Sequence, residues 1–198
     1  MTVAPTRLPA AERRIALLDT AVRVFSEGSY RGTTTSEIAR AAGVSEPILY
    51  RHFASKRDLY IAALDHVWEK AKGLWEAKLL GASDVSQGLD DVGRGHFSVR
   101  DCKFQLAELW VQALGEAGDD PELRKHLRRH MRSVHDFLAD VIRRGQAEGS
   151  LAANRDPDAE AWIFLSGGIF GMVGRRIGLL DDTDIAAIRA ARLEWLRA

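Results

Sequence analysis

Between Thr33 and Leu59 the chain concentrates side chains suited to gripping a phosphodiester backbone and reading base edges. Thr33 and Thr34 stand just ahead of a short helical segment, where hydroxyls and unsatisfied N–H groups together favour an anion. Tyr50 and His52 close a second short segment, and Lys56 opens the next helix, so its ammonium and that helix's N-terminus lie together. Contacts of this kind position a protein on a duplex without carrying sequence information. Base reading falls to Ser45, Glu46 and Arg51, with Pro47 and Ile48 placed for thymine methyl groups. Each residue also has a plainer role. Tyr50 can cover a small core with its ring, and His52 can meet the carbonyls of a helix end. Lys56 can be solvated, Arg51 can pair with an acid, and Glu46 can serve the helix dipole. Thr33 and Thr34 are caps first.

The elements that must hold these groups are legible from spacing. Ile15, Leu18, Val22 and Phe25 form one stripe of a helix over 10–27, entered after Pro9 and stopped by Gly28. Thr34 followed three residues later by Glu37 is a capping box, which starts a short helix over 35–42. Gly43 can take a positive φ without a Cβ penalty, and Ser45 then caps a second short helix over 46–52 with Pro47 in its first turn. Ala39 is small where the two helices approach, while Ile38, Val44, Ile48 and Leu49 supply apolar anchors. Helix, tight turn and a second helix free to enter the major groove make a helix-turn-helix. A long helix over 55–80, with Leu59, Ala63, Val67 and Leu74 on one face, joins this head to the rest of the chain.

The run from Thr34 to Leu59 resembles the TetR family of bacterial regulators over many positions. The matching features are the Thr-rich start, Ile38-Ala39, Ala42-Gly43-Val44-Ser45, Leu49-Tyr50, His52-Phe53 and Lys56 shortly before Leu59. The resemblance covers about residues 11–64. It implies an all-helical homodimer whose two heads read a palindromic operator in double-stranded DNA, and a body that binds a small molecule whose arrival releases the DNA. Glu46 and Pro47 stand where family members often carry small or basic residues, which bears on the operator sequence.

The expected fold is all-α. A three-helix head over 1–54 precedes a larger helical body over 55–198 that binds an effector and dimerises. Further helices are expected over 85–99, 103–116, 121–148, 157–179 and 183–197. The body holds most of the bulky aromatics. Trp68 and Trp75, seven residues apart, share a face that either packs a core or lines an apolar cavity. With Phe104 and the polar groups His96, Arg100, Gln105, Glu108 and His135 they are the candidate effector contacts. The penultimate helix carries Gly167, Gly168, Gly171, Gly174 and Gly178. Glycine within a helix costs roughly 1 kcal/mol relative to alanine, so close helix packing is the expected reason. That packing lies either inside one subunit or, as the resemblance implies for the last two helices, across a dimer interface. Gly167, Gly171, Gly174, Gly178, Ile188 and Trp195 are the candidates there.

Composition bounds the alternatives. The chain has 198 residues, 28 basic and 28 acidic side chains and no net charge. Nine basic residues against six acidic ones lie up to Tyr60, leaving a mildly acidic body. With Cys102 as the one cysteine, an internal disulfide is impossible. Cys/His zinc spacing, nucleophile–base pairs and phosphate loops are not apparent, so neither an enzyme nor a metal or cofactor is expected. No secretory signal or membrane span is read, which places the protein in the cytoplasm. The expected function is a repressor released from its operator by a small apolar or aromatic effector. The alternative is a DNA-binding regulator that acts through a protein partner.

Overall fold

The computed structural model describes residues 9–96 and 102–198, with side chains described over 9–94 and 108–198. Every regular element among the described residues is a helix: α1 (Ala10–Glu27), α2 (Thr35–Ala41), α3 (Glu46–Tyr50), α4 (Lys56–Gly81), α5 (Val85–His96), α6 (Cys102–Glu116), α7 (Pro121–Glu148), α8 (Pro157–Arg176) and α9 (Asp182–Arg197). None is long and apolar enough to cross a membrane.

The helix starts follow capping chemistry. The Thr34 hydroxyl accepts from the Glu37 N–H while the Glu37 carboxylate accepts from the Thr34 N–H, closing the expected capping box on α2. Ser55 caps α4 by accepting from the Asp58 N–H at 3.1 Å. Asp120 and Asp156 cap α7 and α8, each followed by a proline whose missing N–H costs nothing in the first turn. Ser45 occupies the N-cap position of α3, but its side chain makes no capping bond.

The ends differ more from expectation. Gly28 stops α1 without a left-handed turn; a Cβ there would lie 2.9 Å from the Thr33 hydroxyl oxygen. The penultimate helix stops at Arg176 rather than 179. Gly178 turns left-handed at φ +69°, and the N–H groups of Leu179 and Leu180 return to the Gly174 carbonyl at 2.8 and 3.2 Å.

One hydrophobic core runs from Leu17 on α1 to Leu196 on α9. In the head it is built from Leu18, Val22, Phe25, Ile38, Leu49 and Phe53, with Phe25 and Tyr60 in edge-to-face contact at 4.9 Å. Ile15 and Leu74, expected on apolar faces, are exposed instead. Leu18, Val22 and Phe25 on α1 and Leu59, Ala63 and Val67 on α4 are buried as read, and Leu17 and Ala71 join them. In the body α7 packs along α8, α5 bridges α4 and α9, and α1 rests on both α4 and α6.

Candidate functional site

The head presents a polar outer face on a small packed core. Gly43 sits at φ +66° between α2 and α3, as a tight turn requires. The Val44 N–H donates to the Ala39 carbonyl at 3.0 Å, so the two helices are locked through the turn. On α3 and the residues flanking it, Ser45, Pro47, Tyr50 and Arg51 are exposed, and Glu46 and His52 are half-buried. The Tyr50 hydroxyl lies 3.1 Å from that of Thr35, which also donates to the Glu46 carboxylate. Glu46 and Tyr50 are therefore tied to the start of α2 through Thr35, a residue that the periodicity did not single out. A threonine one position after a capping threonine was the only cue to it. Thr33 is 4% exposed, so its hydroxyl is not presented for the phosphate contact expected of it. The Lys56 ammonium lies 4.6 Å above the Tyr30 ring, and burial there pulls its pKa below the ordinary lysine value.

Polar contacts join the head to the body at the α6–α7 corner. Arg31 reaches Glu116 at 2.8 Å and Asp119 at 2.5 Å, and Arg57 reaches Asp120 at 2.8 Å. The Gln112 amide donates to the Gly28 carbonyl at 3.1 Å, and the buried Tyr60 hydroxyl to the Leu109 carbonyl at 3.2 Å. The end of α1 and the start of α4 are thus both tied to α6 and the turn after it.

In the body, α4, α5, α6, α7, α8 and α9 line a cavity of about 560 Å³. Trp68 and Trp75 of α4, Trp110 of α6, and Met131 and Val134 of α7 form its inner wall. Residues from Ile163 to Met172 on α8 and from Ile185 to Leu196 on α9 form the outer one. Size and apolar lining suit a small organic ligand. Of the residues expected to contact such a ligand, Trp68 and Trp75 line the cavity. His135 does not: its ring stacks on Trp162 at 4.2 Å, and its nitrogens lie 2.9 Å from Asp136 and 3.1 Å from the Asp158 carbonyl. Glu108 is turned to Arg176 and Gln112. Arg100 lies outside the described residues, as do the side chains of His96, Phe104 and Gln105.

Spacing did not pick out His130, Ser166, Arg189 or Arg192, the polar side chains of the cavity lining apart from its tryptophans; His130 sits on its inner wall. It falls one turn after His126, and that separation was the available signal. Both histidines meet Asp65 of α4, at 2.9 Å from His126 Nε2 and 3.7 Å from His130 Nδ1. Burial pushes the Asp65 carboxyl up, but the two imidazoles beside it outweigh that and hold the pKa well below the carboxylate range. Two histidines and a carboxylate this close also resemble a metal site. The Trp110 indole N–H donates to His130 Nε2 at 3.0 Å. That bond needs a lone pair on Nε2 and so places the ring proton on Nδ1, toward Asp65. A metal on Nδ1 would need the opposite tautomer, so the arrangement is a polar cluster: His126 bonds Asp65 and ties α7 to α4, and His130 accepts from Trp110 and ties α7 to α6.

The glycines expected to pack a dimer have separate environments. A Cβ on Gly174 would lie 2.6 Å from Leu180, so its reason lies within one chain. Gly178 is required by its positive φ. Gly171 is buried, whereas Gly167 faces open space. Ile188 and Trp195 are half exposed.

The family model described as bacterial regulatory proteins, tetR family, matches residues 17–63. A second, described as the C-terminal part of BetI-type transcriptional repressors, matches residues 87–167. The transcriptional activator FasR of Mycolicibacterium smegmatis is 47% identical over 72 residues, 36% of this chain and only 33% of that relative's length. The probable transcriptional regulator ArpR of Pseudomonas putida is 28% identical over 193 residues, 91% of this chain and 87% of that one. A TetR-family regulator from Rhodococcus sp. shares the fold with a TM-score of 0.86 at 22% identity, covering 95% of this chain and all of that one. With a helix-turn-helix head, an all-helical body and both family models matched in order, the chain belongs to the TetR family of bacterial transcriptional regulators, which bind DNA and are not enzymes.

Proposed function

We propose that this protein is a cytoplasmic, homodimeric repressor that leaves a near-palindromic operator when a small apolar or aromatic effector fills the body cavity. The observation that carries this reading is the cavity's wall. Trp68 and Trp75 belong to α4 and Trp110 to α6, the two helices on which the head rests. A ligand that moves those indoles moves the supports of Arg31, Gly28 and Tyr60. Residues 1–54 act as the reading head. Tyr50 and Lys56 contact phosphate, the N–H groups at the start of α2 face the same backbone, and Ser45, Pro47 and Arg51 face the base edges. Two such heads on a twofold axis meet half-sites about 34–36 Å apart or a multiple of that.

Release follows from differential affinity. An effector that favours one head spacing shifts the equilibrium toward it, and one that binds both spacings equally shifts nothing. Taking a population from 1:99 to 99:1 requires about a 10⁴-fold preference. The repressor sense accords with the description of the family model over residues 87–167. The alternative of control by a protein partner alone predicts a filled body, and the cavity weighs against it.

The test is a titration onto the DNA flanking the protein's own gene at several salt concentrations, beside Tyr50→Ala and Arg51→Ala. Specific binding should weaken steeply with salt. Tyr50→Ala should lower affinity for all sequences alike, and Arg51→Ala should relax discrimination at one position. Failure to select any sequence from random DNA at low salt would sink the proposal.

A further inference from the structure

A single hydrogen bond joins two side chains of the cavity's inner wall. The Trp110 indole N–H donates to His130 Nε2 at 3.0 Å, and both residues line the space. The buried His130 ring sits between two indoles, 5.2 Å from the Trp110 ring and 5.8 Å from the Trp68 ring. The three tryptophans of that wall can donate a hydrogen bond and cannot accept one. His130 Nε2 is therefore the one nitrogen or oxygen acceptor among the side chains described on that wall. The Asp65 carboxylate, 3.7 Å from Nδ1, favours the ring proton on that nitrogen and leaves the lone pair on Nε2. The polar groups of the outer wall are engaged elsewhere. Arg189 lies 2.9 Å from Asp90, Arg192 meets Glu160, and the Ser166 hydroxyl donates to the Ile163 carbonyl at 2.8 Å.

A guest's polar group that reaches this bond meets a donor and an acceptor that satisfy each other. Separating them leaves two buried groups unpaired, which is costly. A carboxylate, an ether or a ketone accepts from the indole but has no proton for Nε2. An ammonium group donates to Nε2 but cannot accept from the indole. A hydroxyl does both through one atom. The indole rings around it suit an aromatic guest, which gains edge and offset contacts. On the reading that the cavity is the effector site, we propose that the effector is a hydroxylated aromatic molecule whose hydroxyl inserts between Trp110 and His130, accepting from the indole N–H and donating to Nε2. His130 is then the residue that selects for the hydroxyl. Two hydrogen bonds of ordinary length meeting at one oxygen hold the two nitrogens about 4.5 Å apart. Without the guest they are 3.0 Å apart. The hydroxyl is thus a wedge between α6 and α7. Trp110 follows Leu109, whose carbonyl accepts from Tyr60, and stands two residues before Gln112, whose amide reaches Gly28. The wedge therefore pushes on the helix that holds the head, and the same ring without a hydroxyl leaves the bond closed.

The experiment titrates the full-length protein by calorimetry with 1-naphthol, its methyl ether 1-methoxynaphthalene and the anion 1-naphthoate. Wild type should bind naphthol about tenfold more tightly than either of the others, the scale of one net hydrogen bond. His130→Phe keeps a ring at that position and removes the acceptor, and His130→Leu removes it with a smaller side chain, so that one can stand in if the other does not fold; circular dichroism checks both. In each, naphthol and the ether should bind within about twofold of one another, because no lone pair remains for the hydroxyl proton. Trp110→Phe frees the Nε2 lone pair and should keep the preference for naphthol at the wild-type value or above. A preference that survives in the His130 variants, or that disappears in Trp110→Phe, would overturn the insertion and leave the effector cavity intact. Equal losses for naphthol and the ether in the His130 variants would make His130 a wall residue only, which overturns it as well. Tightest binding by naphthoate would place the polar group on the arginines of the outer wall, with the same consequence. Absence of binding by all the probes would instead overturn the effector reading itself.

Discussion

The head and the α8–α9 face handle their surface groups in opposite ways. In the head, outward polar residues are tied to one another: Thr34 to Glu37, and Thr35 to both Glu46 and Tyr50. Arg14 lies 4.6 Å over the Phe53 ring. The α8–α9 face leaves Ile163, Phe170, Ile188 and Trp195 in the open, and its polar bonds sit at the two ends. A surface that fixes its own polar groups is pre-organised for a rigid, charged partner such as DNA, because little side-chain freedom remains to be lost on binding. An apolar face gains by being covered. The contrast is between a polar surface already ordered within the chain and an apolar one that the chain itself leaves uncovered.

Two phenylalanines probe that contrast most strongly. Phe25→Ala should destabilise the protein by about 3–5 kcal/mol, because a fully buried ring packed on Tyr60 leaves a cavity. Phe170→Ala, at an exposed position, should shift the stability of the monomer by less than about 0.5 kcal/mol. Denaturant unfolding at concentrations that hold the chain monomeric measures both, and similar losses would erase the distinction. Next in size is Gly145→Ala on α7. The added Cβ would meet Leu151 at 2.6 Å and Val85 at 2.9 Å, so a loss of about 1–3 kcal/mol is expected in the same assay. Gly43→Ala should cost about 1–2 kcal/mol although space is open there, because its φ of +66° disfavours any Cβ. An equal thermal midpoint for Gly43→Ala and wild type would show that the head tolerates a different turn.

Acid should act on the body through Asp65. Its carboxyl has a lower pKa folded than unfolded, because the nearby rings of His126 and His130 outweigh the effect of burial. Its contribution to stability is present above the unfolded carboxylate value, about pH 4, and is lost as pH falls through the lower folded value. Asp65→Asn should flatten that part of the stability–pH curve, read by unfolding from pH 6 downward. The smallest effect belongs to Tyr50→Phe, which removes the hydroxyl beside Thr35. It should leave the thermal midpoint within about 1 °C while weakening operator binding severalfold, since exposed positions rarely matter to stability.

Local chemistry was enough to find the head. The Thr34–Glu37 box, Gly43 and Pro47 act within a few residues of themselves, so reading the sequence located α2, its turn and α3 to within two residues. The Asp–Pro caps at 120–121 and 156–157 fixed the starts of α7 and α8 for the same reason. The sequence alone thus determined the family, the all-helical class and the position of the helix-turn-helix. Tertiary structure decided how distant segments meet. It withdrew Thr33 from the surface, turned His135 toward Asp158, and gave Gly174 and Gly178 reasons within one chain. It also gathered His126 and His130 onto Asp65, and three tryptophans from two helices into one wall. Caps and turns are set by neighbours in the chain, whereas a cavity is what packing leaves unfilled. No single stretch of sequence carries that information, because the space depends on how six helices fail to meet.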